Sequence, residues 1–285
     1  MRFGGIITAM VTPFGAHGEV AEDATAALVR HLLANGSDGL VIAGTTGEGP
    51  TLSDEEKLAL FEIAVGESGP APVIAGTGSN DTRHTVELTA RAAEVGVDAA
   101  LVVTPYYNRP NRRGVLEHFR AAAEASALPI ILYNIPSRTG IDMPNDLLRE
   151  LAEIPGVVAV KQARAEDCVP IEGLDLLAGN DDMLARVLDM GGTGGIFVAS
   201  HLVGAEMRRM IDEPERRHAI DASLAGLVEV LGQTTNPIGV KAALAMLGHD
   251  VGSLRLPMVD ASDTERDAIR AALASHGLLE KARAS

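Results

Sequence analysis

The lysine that ends one short apolar run is the residue of this sequence with the clearest potential for chemistry. Lys161 directly follows Val157-Val158-Ala159-Val160. If this run is a buried strand, the stem of Lys161 leaves the strand wall and its amine reaches the strand's end. Partial burial there favours the neutral amine, which can attack a carbonyl carbon and form an imine. From position alone, a lysine paired with a carboxylate at a loop is a somewhat commoner arrangement.

The chain has three tyrosines, Tyr106, Tyr107 and Tyr133, and each lies at the end of a short apolar run. A tyrosine in such a place usually packs in a core, and Tyr106 can be explained in that way. Packing is a weaker explanation when all three occupy the same kind of position. Phenol hydroxyls beside a threonine hydroxyl can relay a proton, which imine formation and carbon–carbon bond formation both require. The tyrosines therefore indicate acid–base chemistry close to Lys161.

Two further motifs offer places for small anions. The stretch Gly44-Thr45-Thr46-Gly47-Glu48-Gly49 lacks the lysine of a nucleotide phosphate loop, so we expect the backbone amides around Thr45 and Thr46 to hold a small carboxylate. Arg138 lies on a turn bracketed by proline and glycine, just after Tyr133, and is a candidate clamp for a second carboxylate. Without these neighbours it would be one surface arginine among many. The eight histidines are dispersed and form no His-x-x-x-His pair, so we expect no metal site.

These residues need a scaffold that brings strand ends together. Eight short apolar runs, rich in β-branched residues, predict eight buried strands, and helical patterns separate most of them. The capping-box pair Ser53 and Glu56 predicts the start of one such helix. The sixth and seventh units are the weakest, because Ala165–Gly173 leaves room for only a short helix. The predicted strands are Gly5–Thr8, Gly39–Ala43, Pro72–Ala75, Ala99–Thr104, Pro129–Tyr133, Val157–Lys161, Asp175–Ala178 and Gly194–Val198.

This alternation without tight hairpins predicts an α/β fold, a closed (β/α)8 TIM barrel. An open doubly wound sheet would alternate in the same way, but the Gly-x-Gly-x-x-Gly motif of a dinucleotide-binding sheet is absent. After about residue 201 only helices are predicted, at Ala219–Leu231, Pro237–Leu247 and Asp263–Arg283. We therefore expect a barrel catalytic domain, residues 1–218, with a C-terminal helical extension, residues 219–285, packed on it. The active site of such a barrel lies at the C-terminal ends of its strands.

Composition argues against several classes of function. Acidic residues outnumber basic ones by 39 to 24, for a formal charge of −15, which argues against nucleic acid and anionic membrane surfaces as partners. No stretch approaches about 18 consecutive apolar residues, and the first apolar stretch lacks the pattern of a signal peptide. The single cysteine, Cys168, is typical of a reducing compartment. We expect a cytoplasmic protein.

Together these motifs resemble the dihydrodipicolinate synthase family, within the pyruvate-dependent class I aldolase (N-acetylneuraminate lyase) superfamily. The resemblance runs from Thr12-Pro13-Phe14 to the last helices. Lys161 and the Gly-Thr-Thr-Gly-Glu loop are specific to the superfamily, whereas Arg138 and the Tyr106-Tyr107 pair point to the synthases. Gln162 departs from the family pattern, in which an acidic residue generally follows the lysine.

The resemblance implies that pyruvate forms an imine with Lys161, so that no separate cofactor is needed. The enamine then adds to the aldehyde of L-aspartate 4-semialdehyde, and the product, 4-hydroxy-tetrahydrodipicolinate, opens the diaminopimelate and lysine pathway. Family members are usually homotetramers, built as dimers of dimers. The resemblance implies a proton relay of Thr45, Tyr107 and Tyr133, in which Tyr107 comes from a neighbouring subunit. It also implies that Thr46 and Ile196 contact pyruvate and that Arg138 binds the semialdehyde carboxylate.

Two other interpretations remain open at this point. A sister aldolase acting on a 2-keto-3-deoxy sugar acid or on N-acetylneuraminate would keep Lys161 and Tyr133 but would not be expected to keep Arg138. A catalytically silent barrel could bind a small keto acid or a partner. The intact set of Lys161, Tyr133, Tyr107 and Thr45 argues against that second interpretation.

We predict little or no inhibition by L-lysine. In lysine-inhibited members of the family, the amino acid binds at a subunit interface near Tyr106. Here Lys57 would place a cation beside the ligand's own ammonium, and His84 stands where an acidic partner is often found. Initial rates at saturating pyruvate over rising L-lysine test this expectation. Strong partial inhibition at sub-millimolar L-lysine would contradict it.

Overall fold

Eight parallel strands form a closed barrel in the computed structural model, which describes residues 3–166 and 168–280. The strands pair in chain order, and pairing of the first with the eighth closes the cylinder. This confirms the predicted TIM barrel, and every predicted strand boundary lies within one residue of the observed one. The strands are β1 Gly5–Ala9, β2 Gly39–Ile42, β3 Val73–Gly76, β4 Ala99–Val103, β5 Ile130–Asn134, β6 Val157–Gln162, β7 Asp175–Ala178 and β8 Gly194–Phe197.

Helices surround the barrel and continue beyond it. Ser53 and Glu56 form the predicted capping box, in which Glu56 N donates to Ser53 Oγ at 3.2 Å and Ser53 N donates to Glu56 Oε2 at 2.9 Å. The described residues between β6 and β7 contain no helix, which agrees with the weakness of that unit. The helices are α1 Glu22–Ala34, α2 Asp54–Ser68, α3 Thr82–Val95, α4 Arg112–Glu124, α5 Pro136–Thr139, α6 Asn145–Ala152, α7 Leu184–Asp189, α8 Ser200–Asp212, α9 Arg217–Gly232, α10 Ile238–Met246 and α11 Asp263–Ser275.

The last predicted helix is interrupted rather than continuous, because residues 278–280 are helical again after a break. It was expected to run to Arg283, but α11 ends at Ser275. Gly277 has a φ of 66°, a left-handed conformation that interrupts a right-handed helix and that glycine adopts at little cost. The end of the predicted helix, beyond residue 280, and Lys281 lie outside the described residues.

Alternation along the strands divides the apolar core into two layers. One set of side chains fills the barrel interior and includes Ile7, Val41 and Ile131. The other set packs between the barrel and its helices and includes Ile6 and Leu40. This alternation decides which strand-end residues point into the mouth of the barrel.

Strand β6 departs from regular alternation at one place. Ile130 pairs with Val157, but the next residue, Ile131, pairs with Ala159, so Val158 is an extra residue in β6. Both Val158 and Ala159 belong to the interior layer, whereas Val157 and Val160 pack against the helices. The bulge shifts the inward-facing positions of β6 by one residue, and Lys161 consequently faces the interior.

Candidate active site

Lys161 and Tyr133 lie opposite each other at the C-terminal end of the barrel. The register of β5 and β6 pairs the two residues, and each is 6% exposed. The Lys161 amine lies 4.2 Å from the centroid of the Tyr133 ring. Among the residues that the structure describes, no carboxylate is within ion-pair distance of this amine. The alternative of a lysine held by a loop carboxylate is therefore wrong, and the buried amine is placed as a nucleophile requires.

A buried carboxylate fixes the chain that follows β8. Asp181 Oδ1 accepts hydrogen bonds from Val198 N at 3.0 Å and from Ala199 N at 2.9 Å. Burial raises the pKa of the Asp181 carboxyl, while these backbone hydrogen bonds and the charge of Lys161 act in the opposite direction. Sequence reasoning did not single out Asp181. Its position three residues after the end of β7 is the signal that could have identified it.

A cavity of about 430 Å³ opens at the barrel mouth and joins several of the predicted residues. Thr45, Tyr133 and Arg138 are among the residues that line it, together with Tyr106. Lys161 does not line the cavity itself but packs against Tyr133, which does. The structure thus brings Thr45, Tyr133 and Arg138 to one cavity, and the Lys161 amine packs against one of them, Tyr133.

Thr46 and Ile196 are buried behind this cavity rather than in its lining. Ile196 pairs with Ile7 across β1 and β8 and belongs to the same interior layer as Tyr133. Thr46 Oγ1 accepts a hydrogen bond from Asn236 Nδ2 at 2.9 Å. Their predicted contacts with pyruvate stay predictions.

Asn236 was missed by the sequence analysis, although it contacts two of the predicted binding residues. Its Nδ2 donates to Thr46, and its backbone oxygen accepts from Arg138 Nη2 at 3.4 Å. Its Oδ1 is buried without a hydrogen-bond partner among the described residues. Such an oxygen is costly unless a ligand or water supplies a donor. Asn236 precedes α10, so the C-terminal extension contributes directly to the site.

A polar network holds the ends of β5 and β6 in register. Buried Asn134 donates through Nδ2 to Asp142 Oδ1 at 2.9 Å and to Gln162 Oε1 at 3.1 Å. Arg164 N also donates to Gln162 Oε1 at 3.1 Å. Gln162 thus acts as an acceptor, a role that the acidic residue common in the family would also fill. Gln162 therefore accepts two hydrogen bonds directly beside Lys161.

Tyr107 does not join the cavity of its own chain. It is 90% exposed and has a φ of 71°. A tyrosine in the left-handed region is uncommon and costs free energy, so its surroundings must fix the loop. A single chain does not test the prediction that Tyr107 enters the site of a neighbouring subunit, so it stays a prediction.

The lining of the cavity also includes a charged cluster of Asp54, Lys57 and His84. His84 Nε2 lies 2.9 Å from an Asp54 oxygen, and Lys57 Nζ lies 3.4 Å from Asp54 Oδ1. Burial acts to raise the pKa of Asp54, but the hydrogen bond and charge of His84, helped by Lys57, outweigh it and lower the pKa. The Asp54 carboxylate is therefore already engaged by Lys57 and by a hydrogen bond with His84.

The part of the chain that the structure describes offers neither a metal site nor a membrane-spanning helix. No group of three or more His, Cys, Asp and Glu side chains there could hold a metal ion. None of the helices described is both long enough and apolar enough to cross a bilayer.

Comparison with known proteins agrees with the site geometry. The sequence profile of the Dihydrodipicolinate synthetase family matches residues 2–276. A 4-hydroxy-tetrahydrodipicolinate synthase from Symbiobacterium thermophilum is 46% identical, over 97% of this chain and 99% of that protein. The Bacillus subtilis protein of the same name is 44% identical, over 93% and 97%. A lysine-bound crystal structure of the synthase from Cyanidioschyzon merolae superposes with a TM-score of 0.93 at 40% identity, over 97% and 99% of the two chains.

The contact between Tyr133 and Lys161 generates a direct test. Tyr133→Phe keeps the ring against the amine and removes only the hydroxyl. If that hydroxyl transfers protons, kcat falls by about 100-fold or more while substrate binding survives. Steady-state kinetics measures both quantities. A near-normal kcat would show that Tyr133 is a packing residue.

Proposed function

Because the chain belongs to the dihydrodipicolinate synthetase family, we propose that it condenses pyruvate with L-aspartate 4-semialdehyde to 4-hydroxy-tetrahydrodipicolinate. The observation that carries this proposal is the buried Lys161 amine, unpaired with any described carboxylate and 4.2 Å from the Tyr133 ring centroid. It occurs in a chain whose relatives bear that synthase's name at 44% and 46% identity. The enzyme is a lyase of the class I aldolase type and acts in lysine biosynthesis.

The reaction begins when the neutral Lys161 amine attacks the carbonyl carbon of pyruvate. The resulting carbinolamine loses water to give an imine, and loss of a methyl proton converts the imine into an enamine. The enamine carbon then bonds to the aldehyde carbon of the semialdehyde, which regenerates the imine, and the aldehyde oxygen takes up a proton. The amino group of the semialdehyde next attacks the imine carbon, which closes the ring and releases the Lys161 amine. Each step moves a proton at the reacting centre, and the Tyr133 hydroxyl is the group we assign to this transfer. Thr45 and the Tyr107 of a neighbouring subunit complete the relay.

Two anion sites orient the substrates on either side of Tyr133. The backbone amides around Thr45 and Thr46 bind the pyruvate carboxylate, with Ile196 forming the apolar floor. Arg138, exposed at the cavity's rim, binds the carboxylate of the semialdehyde. Asn236 contacts both sites, donating to Thr46 and accepting from Arg138. This arrangement supports an ordered entry, with pyruvate deeper in the barrel and the semialdehyde nearer the surface.

The sister aldolases are not favoured as an alternative. Both named relatives and the solved structure described above are synthases, and Arg138 lines the cavity as the synthase interpretation requires. A sugar acid presents a chain of hydroxyl groups instead of a second carboxylate at that position. A guanidinium at the rim suits the carboxylate better, because it can form a charge-assisted bidentate pair.

We infer that the active form is a homotetramer, a dimer of dimers, in the cytoplasm. Support for assembly comes from Tyr107, which is 90% exposed on a loop with positive φ and has no place in its own chain's cavity. A second copy that received this ring would bury it and complete the relay. The single buried cysteine, Cys168, is typical of proteins in a reducing compartment.

Borohydride reduction in the presence of pyruvate tests the proposed function. The reduced adduct should appear on the peptide that contains Lys161, because reduction converts the imine into a stable secondary amine. Lys161→Gln and a reaction without pyruvate are the matched controls, and both should give no adduct. Absence of the adduct from folded wild-type protein would remove the aldolase mechanism altogether.

Arg138 should act selectively on the second substrate. Arg138→Ala removes a charge-assisted pair worth about 2–5 kcal/mol if the pair is desolvated. We expect a large rise in KM for the semialdehyde, with pyruvate adduct formation nearly unchanged. Parallel kinetics and borohydride trapping separate the two steps. Equal loss of both would indicate a structural role for Arg138.

A further inference from the structure

A buried ion pair ties the Gly44–Gly49 loop to the C-terminal extension. Lys241 Nζ, from the middle of α10, donates to Glu48 Oε1 at 2.9 Å, and both side chains are 2% exposed. The other carboxylate oxygen, Glu48 Oε2, accepts from Arg255 N at 2.9 Å. Both oxygens of Glu48 are therefore held by residues that follow the barrel in sequence.

Glu48 occupies a conformation that requires such support. Its φ is 55°, in the left-handed region, where a residue with a side chain is strained unless its surroundings fix it. Glu48 N donates to Thr45 O, and Gly49 N donates to Gly44 O, both at 3.1 Å. The conformation of Glu48 is thus coupled through short backbone hydrogen bonds to Thr45, at the other end of the turn.

The same helix contacts the loop a second time. Asn236, directly before α10, donates to Thr46 Oγ1 at 2.9 Å. Lys241 N donates to Pro237 O at 3.0 Å, so Lys241 lies in the first turn after Asn236 and Pro237. Helix α10 therefore holds the loop at Thr46 and at Glu48, on both sides of Gly47.

Overall stability alone is a weak explanation for this ion pair. Removing two charges from water is costly, and an apolar pair of similar volume is often as stable or more so. Burial lowers the pKa of Lys241, against the opposing effect of Glu48. Lys241 Nζ also donates to Ser253 O at 3.0 Å and lies 4.5 Å from the centroid of the Phe14 ring. What the pair supplies beyond an apolar contact is a single fixed geometry for Glu48.

We propose that Lys241 is a positioning residue, which acts through Glu48 to hold the backbone around Thr45 and Thr46 in the conformation that binds the carboxylate of pyruvate. This inference rests on the proposed function, because it assigns the pyruvate carboxylate to that loop. Neither Lys241 nor Glu48 is among the described residues that line the catalytic cavity. They act through the loop and do not contact the substrate, so we expect their main effect on the affinity for pyruvate and a smaller effect on proton transfer through Thr45.

The test compares Lys241→Met with Leu244→Ala. Leu244 lies on the same helix, is fully buried and belongs to the outer apolar layer, so its truncation loosens α10 without removing the ion pair. We expect Lys241→Met to raise the KM for pyruvate by about tenfold or more, with a much smaller change in kcat and in the KM for the semialdehyde. Leu244→Ala should lower Tm while leaving the KM for pyruvate near the wild-type value.

Glu48→Gln and the double variant Glu48→Gln/Lys241→Met keep the test decisive if Lys241→Met does not fold. The double variant buries no unpaired charge, so it should fold, and its KM for pyruvate should be raised to the same extent. An unchanged KM for pyruvate in any folded variant of the pair would overturn the inference, and so would an equal rise in Leu244→Ala. Wild-type protein that forms no borohydride-trapped adduct would instead show that the proposed function has failed.

Discussion

The register between β5 and β6 is the constraint on which the candidate site depends. Regular alternation from Val157 would place Lys161 on the outer face of the barrel, among the surrounding helices. The extra residue Val158 reverses this, and it also pairs Lys161 with Tyr133 instead of with Asn134. A bulge near the bottom of one strand thus decides whether an amine and a phenol meet at the top.

Polar contacts beyond the strand ends preserve that register. Asn134 links β5 to Gln162 of β6, and Asp181 anchors the backbone after β8. Helix α10 holds another strand-end loop, Gly44–Gly49 after β2, from outside the barrel. The side chains that face substrate are therefore supported by residues that never reach it, as expected for a site that must keep reacting groups within a fraction of an ångström.

Local patterns predicted the strands, Lys161 and Tyr133, because each strand's apolar run and the residue that ends it are contiguous in sequence. The support for these residues could not be predicted in the same way. Asn236 and Thr46 are 190 positions apart, and Lys241 and Glu48 are 193 apart, so nothing local connects them. The sequence alone does not show that Lys241 and Lys57 are buried and paired with carboxylates. A single sequence shows an apolar helix around Lys241, but it does not show that the carboxylate of Glu48 lies beside this lysine in the fold.

Only four of the 24 Lys and Arg residues are lysines, and this has a consequence for an enzyme that handles a keto acid and an aldehyde. Both compounds condense with any accessible neutral amine, whereas a guanidinium does not form an imine at ordinary pH. Lys57 and Lys241 are held by carboxylates, and the chain otherwise carries its positive charge mainly on arginine. Among the lysines that the structure describes, only Lys161 has an amine without an acidic partner. The protein is thereby protected against adventitious modification by its own substrates, and the same property would make Lys161 the preferred target of a carbonyl-based covalent probe.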